Sequence, residues 1–274
     1  MTQPFLSAPL WLIGCGNMAG AMLDGWLAKG ADPRLITVVR PSGRPPADGV
    51  RTLAVPPEDE VPALVLLGVK PQRLDDVAPV LAPVLEPGTL LISILAGTGL
   101  AALRARFPAP RTIVRAMPNL PVGLNKGVTE LLTDSGDRIA RAAAERLMAA
   151  LGQVEWFDDE ADFALAGHLT AAAPAFLFRF LDALADGGAE LGLPRAQAAR
   201  LVAAMAEGAA ALAAASGESP EQLARRVASP GGTTEAGLAV LDERDALRRL
   251  VLRTLEASRS RGAELAEIAR TGPR

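Results

Sequence analysis

Residues 9–19 read Pro-Leu-Trp-Leu-Ile-Gly-Cys-Gly-Asn-Met-Ala, an apolar run that leads directly into a glycine-rich turn. Gly14, Gly16 and Ala19 have the spacing GxGxxG/A. In this spacing the first glycine suits a tight turn, the second lets the backbone approach a ligand, and the third small residue lets a helix pack on a strand. The stretch therefore predicts a strand, a turn and a helix at the start of a parallel sheet.

The same turn predicts a dinucleotide site. A helix that begins after Gly16 presents free backbone N–H groups and the positive end of its dipole, which together bind a pyrophosphate. The alternative is an ordinary glycine-rich loop, and the position between an apolar strand and a helix favours the dinucleotide site. Cys15, inside the motif, is interpreted as a small packing residue.

From residue 8 to about residue 157, short apolar runs alternate with helical patterns, which is typical of βαβ units. The predicted strands are Pro9–Ile13, Leu35–Val39, Leu64–Val69, Leu90–Ile94 and Thr112–Arg115, with weaker ones at Gly127–Leu132 and Val154–Phe157. The predicted helices between them include Met18–Lys29, Leu74–Leu85 and Asp137–Leu151. We therefore predict an α/β fold whose N-terminal domain, residues 1–158, is a Rossmann-type doubly wound sheet.

After about Glu160 the strand signals end, so residues 159–274 are predicted to form an all-α domain. Two of its helices carry apolar stripes at helical spacing, formed by Leu201, Val202, Met205 and Leu212, and by Leu247, Leu250, Val251 and Leu255. Helices this rich in alanine bury little apolar area individually. We therefore expect them to pack against a second subunit.

The composition argues against several classes of function. The 274 residues carry 28 Lys and Arg against 31 Asp and Glu, so no overall positive field attracts nucleic acid or anionic lipid. One cysteine and one histidine provide neither a disulfide nor a His-based metal site. Charges keep the alanine-rich stretch near Leu201 below the roughly 20 residues of a membrane span, and no basic region marks a signal peptide. We expect a cytoplasmic protein that binds no metal, nucleic acid or membrane.

The second predicted strand ends without the carboxylate that binds the ribose hydroxyls of NAD. Arg40, Ser42 and Arg44 follow it instead, and their guanidinium and hydroxyl groups suit a 2′-phosphate. We therefore expect NADPH to be preferred, with NADH possible. The alternative is that these arginines are solvated loop charges.

In an open α/β sheet, the residues just past the strands face the ligand. Those past the third and fourth strands are Val69-Lys70-Pro71 and the segment Ser93–Gly97. Lys70 is either a cofactor contact or a side chain that extends into solvent. The Pro-flanked segment Arg115–Pro121, after the fifth strand, is predicted to be a turn beside the nicotinamide.

Five short blocks, in the same order, resemble the pyrroline-5-carboxylate reductase family. They are Gly14–Ala19 (GCGNMA), Val69–Gln72 (VKPQ), Ser93–Gly97 (SILAG), Val114–Pro121 (VRAMPNLP) and Ser229–Thr234 (SPGGTT). The resemblance implies a Rossmann domain followed by a helical dimerisation domain, NAD(P)H as the cofactor, and a substrate site shared between two subunits. The implied reaction reduces the imine of Δ1-pyrroline-5-carboxylate to L-proline.

The resemblance also implies roles for individual residues. Those expected to bind the cofactor are Gly14, Gly16, Asn17, Met18, Val69, Lys70, Pro71, Ala96 and Gly97. Those expected to hold the substrate carboxylate are Ser229, Gly231, Gly232 and Thr233, with Thr234 as the catalytic residue near the ring nitrogen. Consecutive glycines ahead of a helix expose N–H groups as an anion-binding nest, which suits this assignment.

The chain departs from the family pattern at Thr170–Ala173, where Thr-Ala-Ala-Ala stands in place of the usual Ser-Gly-Ser-Gly. The change removes hydroxyl donors and flexible backbone near the expected substrate site, so a broader cyclic imine reductase is an alternative. His168 lies just upstream and receives no role, because a lone helical histidine is more often structural.

Two further alternatives belong to other classes. A β-hydroxyacid dehydrogenase would place a lysine in the helical half, but no lysine follows Lys126. A non-catalytic NADP-binding regulator would not need a carboxylate nest, so the block Ser229–Thr234 favours an enzyme.

Overall fold

The computed structural model describes residues 4–271, with side chains to residue 264, and its first half is built on one sheet. The strands are β1 (Leu10–Ile13), β2 (Ile36–Val39), β3 (Arg51–Leu53), β4 (Leu64–Leu67), β5 (Leu90–Ser93), β6 (Thr112–Pro118), β7 (Gly127–Leu132) and β8 (Gly152–Phe157). They lie in the order β3-β2-β1-β4-β5-β6-β7-β8. Strands β1 to β6 are parallel, whereas β7 and β8 run in the opposite direction. The order reverses beside β1, which confirms the predicted doubly wound sheet.

Helices cover both faces of this sheet and form all of the structure beyond it. They are α1 (Asn17–Ala28), α2 (Leu74–Leu81), α3 (Leu100–Arg106), α4 (Arg138–Ala149), α5 (Glu160–Thr170), α6 (Ala173–Glu190), α7 (Arg195–Ser216), α8 (Pro220–Val227), α9 (Thr233–Asp242) and α10 (Ala246–Thr271). Short 3-10 helices lie at Pro33–Leu35, Pro71–Arg73, Ala82–Val84, Leu120–Leu124 and Glu243–Asp245.

Strand β1 shows why the sheet must be covered on both faces. Its alternate residues enter two separate cores, Leu10 and Leu12 on one face and Trp11 and Ile13 on the other. Helices α1 and α4 close the first core, and α2 and α3 close the second. A continuous apolar strand buries both of its faces in this arrangement, as its sequence predicts.

The seven predicted strands are all present, and two departures have physical causes. β3 was not predicted, because its three residues are partly exposed at the sheet edge and form no apolar run. The prediction of a turn from Arg115 to Pro121 is wrong over its first half. β6 continues to Pro118 because Arg115 pairs with Leu132 and Pro118 with Thr129 of the antiparallel β7.

Contacts divide the chain into two units. One contains the residues up to Ala172 together with those from Arg259 onward, and the other is Ala173–Ser258. In the second unit α6 packs on α7, and Arg195 at the start of α7 pairs with Asp182 and Asp186 of α6 over 2.5 and 2.6 Å. Six α-helices and one 3-10 helix follow β8 up to Thr271, where the described residues end, which confirms the predicted all-α C-terminal half.

The second unit buries few side chains by itself. Among its residues, all of which the structure describes, only Ala185 and Ala198 are buried. Its exposed large apolar residues include Leu177, Phe178, Phe180, Leu184, Leu201, Met205, Leu212, Leu250, Val251 and Leu252. Glu160–Glu190 and Arg195–Ser216 are also long and apolar enough to cross a membrane, by length and composition only. These helices therefore present apolar faces that their own unit does not cover.

Gly25 of α1 is a position where the fold leaves no room for a side chain. A Cβ atom there would lie 2.5 Å from the carbonyl oxygen of Val122 and 2.7 Å from Cδ2 of Leu151. We expect Gly25→Ala to lower the free energy of unfolding by ~1–3 kcal/mol, the usual range for overpacking. Denaturant unfolding of the purified variant measures this change.

Gly20→Ala is the matched control in the same helix. A Cβ atom at Gly20 would make only an ordinary contact, 3.9 Å from Sγ of Cys15. Alanine in a helix is favoured over glycine by roughly 0.5–1 kcal/mol, so this variant should be as stable as the wild type or more so. Equal stability of the two variants would contradict the packing described at Gly25.

Candidate functional site

The turn between β1 and α1 is shaped to bind an anion. Gly14 has φ +83°, a left-handed conformation that favours glycine, and its N–H donates to the carbonyl oxygen of Val39 over 2.8 Å. Gly16 is the N-cap of α1, and because it has no side chain, it does not cap the first N–H groups of the helix. Around the position of its missing Cβ, no described atom outside the turn lies within 4 Å. The first N–H groups of α1 are therefore open to a phosphate.

Three small residues bring the start of α1 onto the ends of two strands. A Cβ atom at Gly14 would lie 2.8 Å from Cγ1 of Val69, and one at Gly68 would lie 2.8 Å from Cβ of Ala19. Ala19 is 1% exposed. Because no side chain separates these backbones, the N-terminus of α1 is held directly at the strand ends.

The carboxyl ends of β1, β4 and β5 lie side by side, because these strands are parallel neighbours. The segments that follow them are the glycine turn, which leads into Asn17 and Met18 of α1, then Val69-Lys70-Pro71, and then Ala96-Gly97. Lys70 is exposed and precedes a 3-10 helix, and Gly97 has φ +72° in an exposed turn. The structure therefore brings these predicted cofactor residues to one edge, where ligands of open α/β sheets bind.

The residues after β2 form a turn at the same carboxyl edge of the sheet, where the parallel strands end. The N–H of Arg40 donates to the carbonyl oxygen of Leu53 in β3 over 2.9 Å, and Gly43, at φ +59°, donates its N–H back to the carbonyl oxygen of Arg40 over 3.0 Å. The N–H of Arg44 donates to Oγ of Ser42 over 3.4 Å. The unpredicted β3 thus shapes the segment that carries the predicted 2′-phosphate residues.

Arg40 has an unsatisfied donor and lies near the glycine turn. Its Nε atom is buried and has no hydrogen-bond partner among the described residues. Burial raises the pKa of the Cys15 thiol, and the positive charge of Arg40 acts in the opposite direction. A buried guanidinium donor without a partner is suited to bind an anionic ligand.

Two buried charged residues beneath α5 were not among the predicted site residues. The guanidinium of Arg115 binds the carboxylate of Glu160 and lies 4.6 Å from the ring centroid of Phe163. Arg115 is 7% exposed, and burial lowers its pKa to about 10. The available sequence signal is the charge of Arg115 at the end of an apolar run. This charge was interpreted as the start of the predicted turn Arg115–Pro121.

Glu130 of β7 is the second of these residues. It is 1% exposed, its carboxyl contacts the hydroxyl of Thr170, and burial raises its pKa. Asn119, just past β6, donates its side-chain N–H to the carbonyl oxygen of Thr170 over 3.1 Å and accepts from the N–H of Val128 over 2.8 Å. A glutamate inside an apolar strand was the signal available in the sequence.

The segment Thr170–Ala173, which departs from the family pattern, joins α5 to α6. Thr170 ends α5 and is held by the two contacts to Glu130 and Asn119. Nearby, a Cβ atom at Gly262 of α10 would lie 2.5 Å from Cε1 of His168. The His168 ring therefore packs directly on the α10 backbone.

In the second unit, the loop from Ser229 to Thr234 ends at the start of α9. Gly231 has φ +69°, and the N–H of Gly232 donates to the carbonyl oxygen of Ser229 over 2.9 Å. Gly232 is the N-cap of α9, and because it has no side chain, the first N–H groups of this helix have no side-chain cap. The N–H of Gly231 donates to Oε2 of Glu235 over 2.7 Å, so a donor of this loop already binds a carboxylate.

Two family models match parts of the chain. Residues 160–265 match the model described as pyrroline-5-carboxylate reductase dimerisation, and residues 10–97 match the model described as NADP oxidoreductase coenzyme F420-dependent. The first match covers most of the described helical half, and the second covers β1 to β5 with their ligand-facing turns.

Curated relatives and solved structures match nearly the whole chain. The pyrroline-5-carboxylate reductase of Pseudomonas aeruginosa is 37% identical over 93% of this chain and 96% of its own length, and that of Synechocystis is 36% identical over 95% and 99%. The structure of the Coxiella burnetii enzyme aligns with a TM-score of 0.86 at 32% identity, covering 95% of this chain and 99% of that one. The NADP-bound Plasmodium falciparum structure, at 22% identity and a TM-score of 0.79 over 95% and 98%, shares the fold. The chain belongs to the pyrroline-5-carboxylate reductase family.

Proposed function

We propose that this chain reduces the imine bond of Δ1-pyrroline-5-carboxylate to give L-proline, using NADPH in preference to NADH. The observation that carries the proposal is the similarity to curated reductases over 93% of the chain. The glycine turn and the SPGGTT loop lie within the two ranges that the family models match. We assign dinucleotide binding to residues 1–158, and substrate binding and dimerisation to residues 159–274. The family matches at residues 10–97 and 160–265 support this division.

The cofactor would be held at the carboxyl edge of the sheet. The proposed pyrophosphate residues are Gly14, Gly16, Asn17 and Met18, and those lining the nicotinamide half are Val69, Lys70, Pro71, Ala96 and Gly97. The open N-terminus of α1 and the left-handed glycines in the turns after β1 and β5 fit such a ligand. A bound reduced nicotinamide supplies a hydride.

Arg40 and Ser42 are proposed to bind the 2′-phosphate that distinguishes NADPH from NADH. The segment Arg40–Arg44 contains two arginines and no carboxylate that would repel a phosphate. The partnerless buried Nε of Arg40 supports this role, because a buried donor gains most from a charged acceptor.

The substrate carboxylate would be held by the loop residues Ser229, Gly231, Gly232 and Thr233. The first N–H groups of α9 lack intrahelical partners and lie at the positive end of the helix dipole. The N–H of Gly231 already binds the Glu235 carboxylate, so the substrate carboxylate would have to displace Glu235 from this donor.

Thr234 is proposed as the catalytic residue that hydrogen-bonds to the ring nitrogen. It is exposed and lies in the first turn of α9, adjacent to the proposed carboxylate donors. A protonated imine is already electrophilic, so the protein must chiefly orient the ring and bind its nitrogen. Orientation of this kind contributes up to about 7–11 kcal/mol to lowering a barrier.

The exposed apolar faces of α6, α7 and α10 support assembly as a homodimer, or as a larger oligomer of dimers, through the helical half. Such an interface would cover the apolar stripes that the single chain leaves open. The proposed location is the cytoplasm, with no binding to membranes or nucleic acid.

Purified protein should oxidise NADPH when pyrroline-5-carboxylate is added, and only slowly without it, as followed by nicotinamide absorbance. The same assay with NADH should give a lower kcat/KM. A panel of cyclic imines with and without a carboxylate tests the broader imine reductase, which would accept both equally well. NADPH binding without turnover of any imine would instead favour a regulator.

Arg40→Ala should lower kcat/KM for NADPH about ten- to a hundredfold, because a hydrogen bond to a charged group contributes ~1.5–3 kcal/mol. The value for NADH should change little. Arg34→Ala is the control, since Arg34 is 84% exposed and pairs with Asp32 before β2 begins. Equal losses with both cofactors would contradict a 2′-phosphate contact.

Thr234→Ala should lower kcat, whereas the Kd for NADPH, measured without substrate, should stay unchanged. Thr234→Ser keeps the hydroxyl and should retain most of the activity. Because Thr234 is exposed in the structure, both variants should keep the fold of the wild type. An unchanged kcat in the alanine variant would remove Thr234 from the mechanism.

A further inference from the structure

The turn between β5 and α3 is fixed at its start and open in its middle. The N–H of Leu95 donates to Oγ of Ser93 over 3.3 Å, and both residues are buried. Ala96 and Gly97 are exposed, and the buried Thr98 follows them. The two exposed residues are those proposed to line the nicotinamide half of the cofactor. Their placement therefore also depends on what holds the far end of the turn.

The far end of the turn is the start of α3, which has no cap from its own segment. Its N-cap is Gly99, which has no side chain to bind the first N–H groups of the helix. Glu160, 60 residues beyond Leu100, supplies the acceptor, because the N–H of Leu100 donates to its Oε1 over 3.1 Å. A Cβ atom at Gly99 would lie 3.5 Å from the same oxygen. Helix α3 is therefore capped by a side chain of α5.

Arg115 of β6 holds the Glu160 carboxylate in this position. Its guanidinium pairs with Oε2 of Glu160, the oxygen that does not bind Leu100. The guanidinium is itself fixed, since Arg115 is 7% exposed and lies 4.6 Å from the ring centroid of Phe163. Arg115 is also the register partner of Ser93, the residue at which the turn begins. One buried arginine thus places the cap beside the end of β5.

Helix α5 does not need Glu160 for its own cap. Asp159 is the N-cap of α5 and accepts from the N–H groups of Ala161 and Asp162 over 2.8 and 2.9 Å. The Glu160 side chain instead binds two donors outside its helix, the Leu100 N–H and the Arg115 guanidinium. A carboxylate suits both, because each of its oxygens accepts, whereas a glutamine amide has one acceptor and one donor.

We propose that Glu160 is a positioning residue, whose carboxylate, held by Arg115, caps α3 and so fixes the turn Ala96–Gly97 where the nicotinamide half of the cofactor is proposed to bind. A turn that is already fixed binds a ligand without the cost of being ordered, so loss of the cap weakens binding. The effect on the cofactor rests on the proposed function, but the cap itself does not.

Amide hydrogen exchange of the wild-type protein tests the cap without any variant. Leu100 and Ala101 are the first two residues of α3, and a helix supplies no acceptor for the N–H groups at these positions. With the Glu160 cap, the N–H of Leu100 should exchange at least about tenfold more slowly than that of Ala101, after correction for intrinsic rates. Equally fast exchange of the two would overturn the proposal, whether or not the protein reduces pyrroline-5-carboxylate.

Glu160→Gln keeps the size of the side chain but offers one acceptor oxygen to two donors. At a temperature well below its Tm, this variant should raise the Kd for NADPH about three- to tenfold, as expected for the loss of one hydrogen bond. Its Kd for 2′-phospho-ADP-ribose, which lacks the nicotinamide, should stay unchanged. Equal weakening of both ligands, or of neither, would overturn the positioning role.

Asp134→Asn is the matched control, because Asp134 pairs over 2.7 Å with Arg104 in the last turn of the same helix α3. The Asp134 and Glu160 side chains are similarly exposed, at 51% and 49%. The control should lower Tm but leave the Kd for NADPH unchanged, since it acts at the end of α3 away from the turn. An equal rise of that Kd in the control would show a general effect on α3 and overturn the role.

The wild type alone decides the role if Glu160→Gln does not fold. NADPH should then slow amide exchange of Ala96, Gly97 and Leu100 more than 2′-phospho-ADP-ribose does, and equal effects of the two ligands would overturn the proposal. A wild type that binds NADPH but reduces no pyrroline-5-carboxylate would overturn the proposed reaction alone. The exchange and binding results would still decide the role of Glu160.

Discussion

The geometry at the carboxyl edge of the sheet depends on the close approach of α1 to the ends of β1 and β4. Gly14, Gly68 and Ala19 allow it, because a side chain at either glycine would come within 3 Å of a neighbouring atom. In a close-packed interior such a contact cannot be absorbed locally, so a larger residue would displace α1 from the sheet. That displacement would open the core beneath α1 and move the N–H groups that face the phosphate.

The sheet accepts two charged residues in its interior, and their partners suggest why. Burying an ionisable group is costly unless it is well paired, so Arg115 and Glu130 are not explained by stability alone. Each holds one end of α5, and between them Met117 packs against Gly167 of the helix. Because a hydrogen bond constrains direction as well as distance, these contacts hold both ends of α5 on the sheet.

Helix α5 belongs to the helical half by sequence but to the sheet unit by its contacts. The dimerisation family model begins at residue 160 and includes α5, whereas contacts assign α5 to the unit that contains the sheet. The remaining helices, Ala173–Ser258, bury two alanines and expose most of their large apolar residues. A unit that buries so few side chains has little hydrophobic core of its own.

Seven of the eight strands that the structure describes, the glycine turn and the SPGGTT loop could be predicted from the sequence, because apolar periodicity and glycine spacing act on residues close together in the chain. The continuation of β6 to Pro118 and the effect of β3 on the Arg40 turn could not be predicted, since both depend on a neighbouring strand. The contact between Glu130 and Thr170, 40 residues away, depends likewise on the tertiary structure. Local patterns encode conformation and the buried face, whereas the partner of a buried polar group depends on the path of the whole chain.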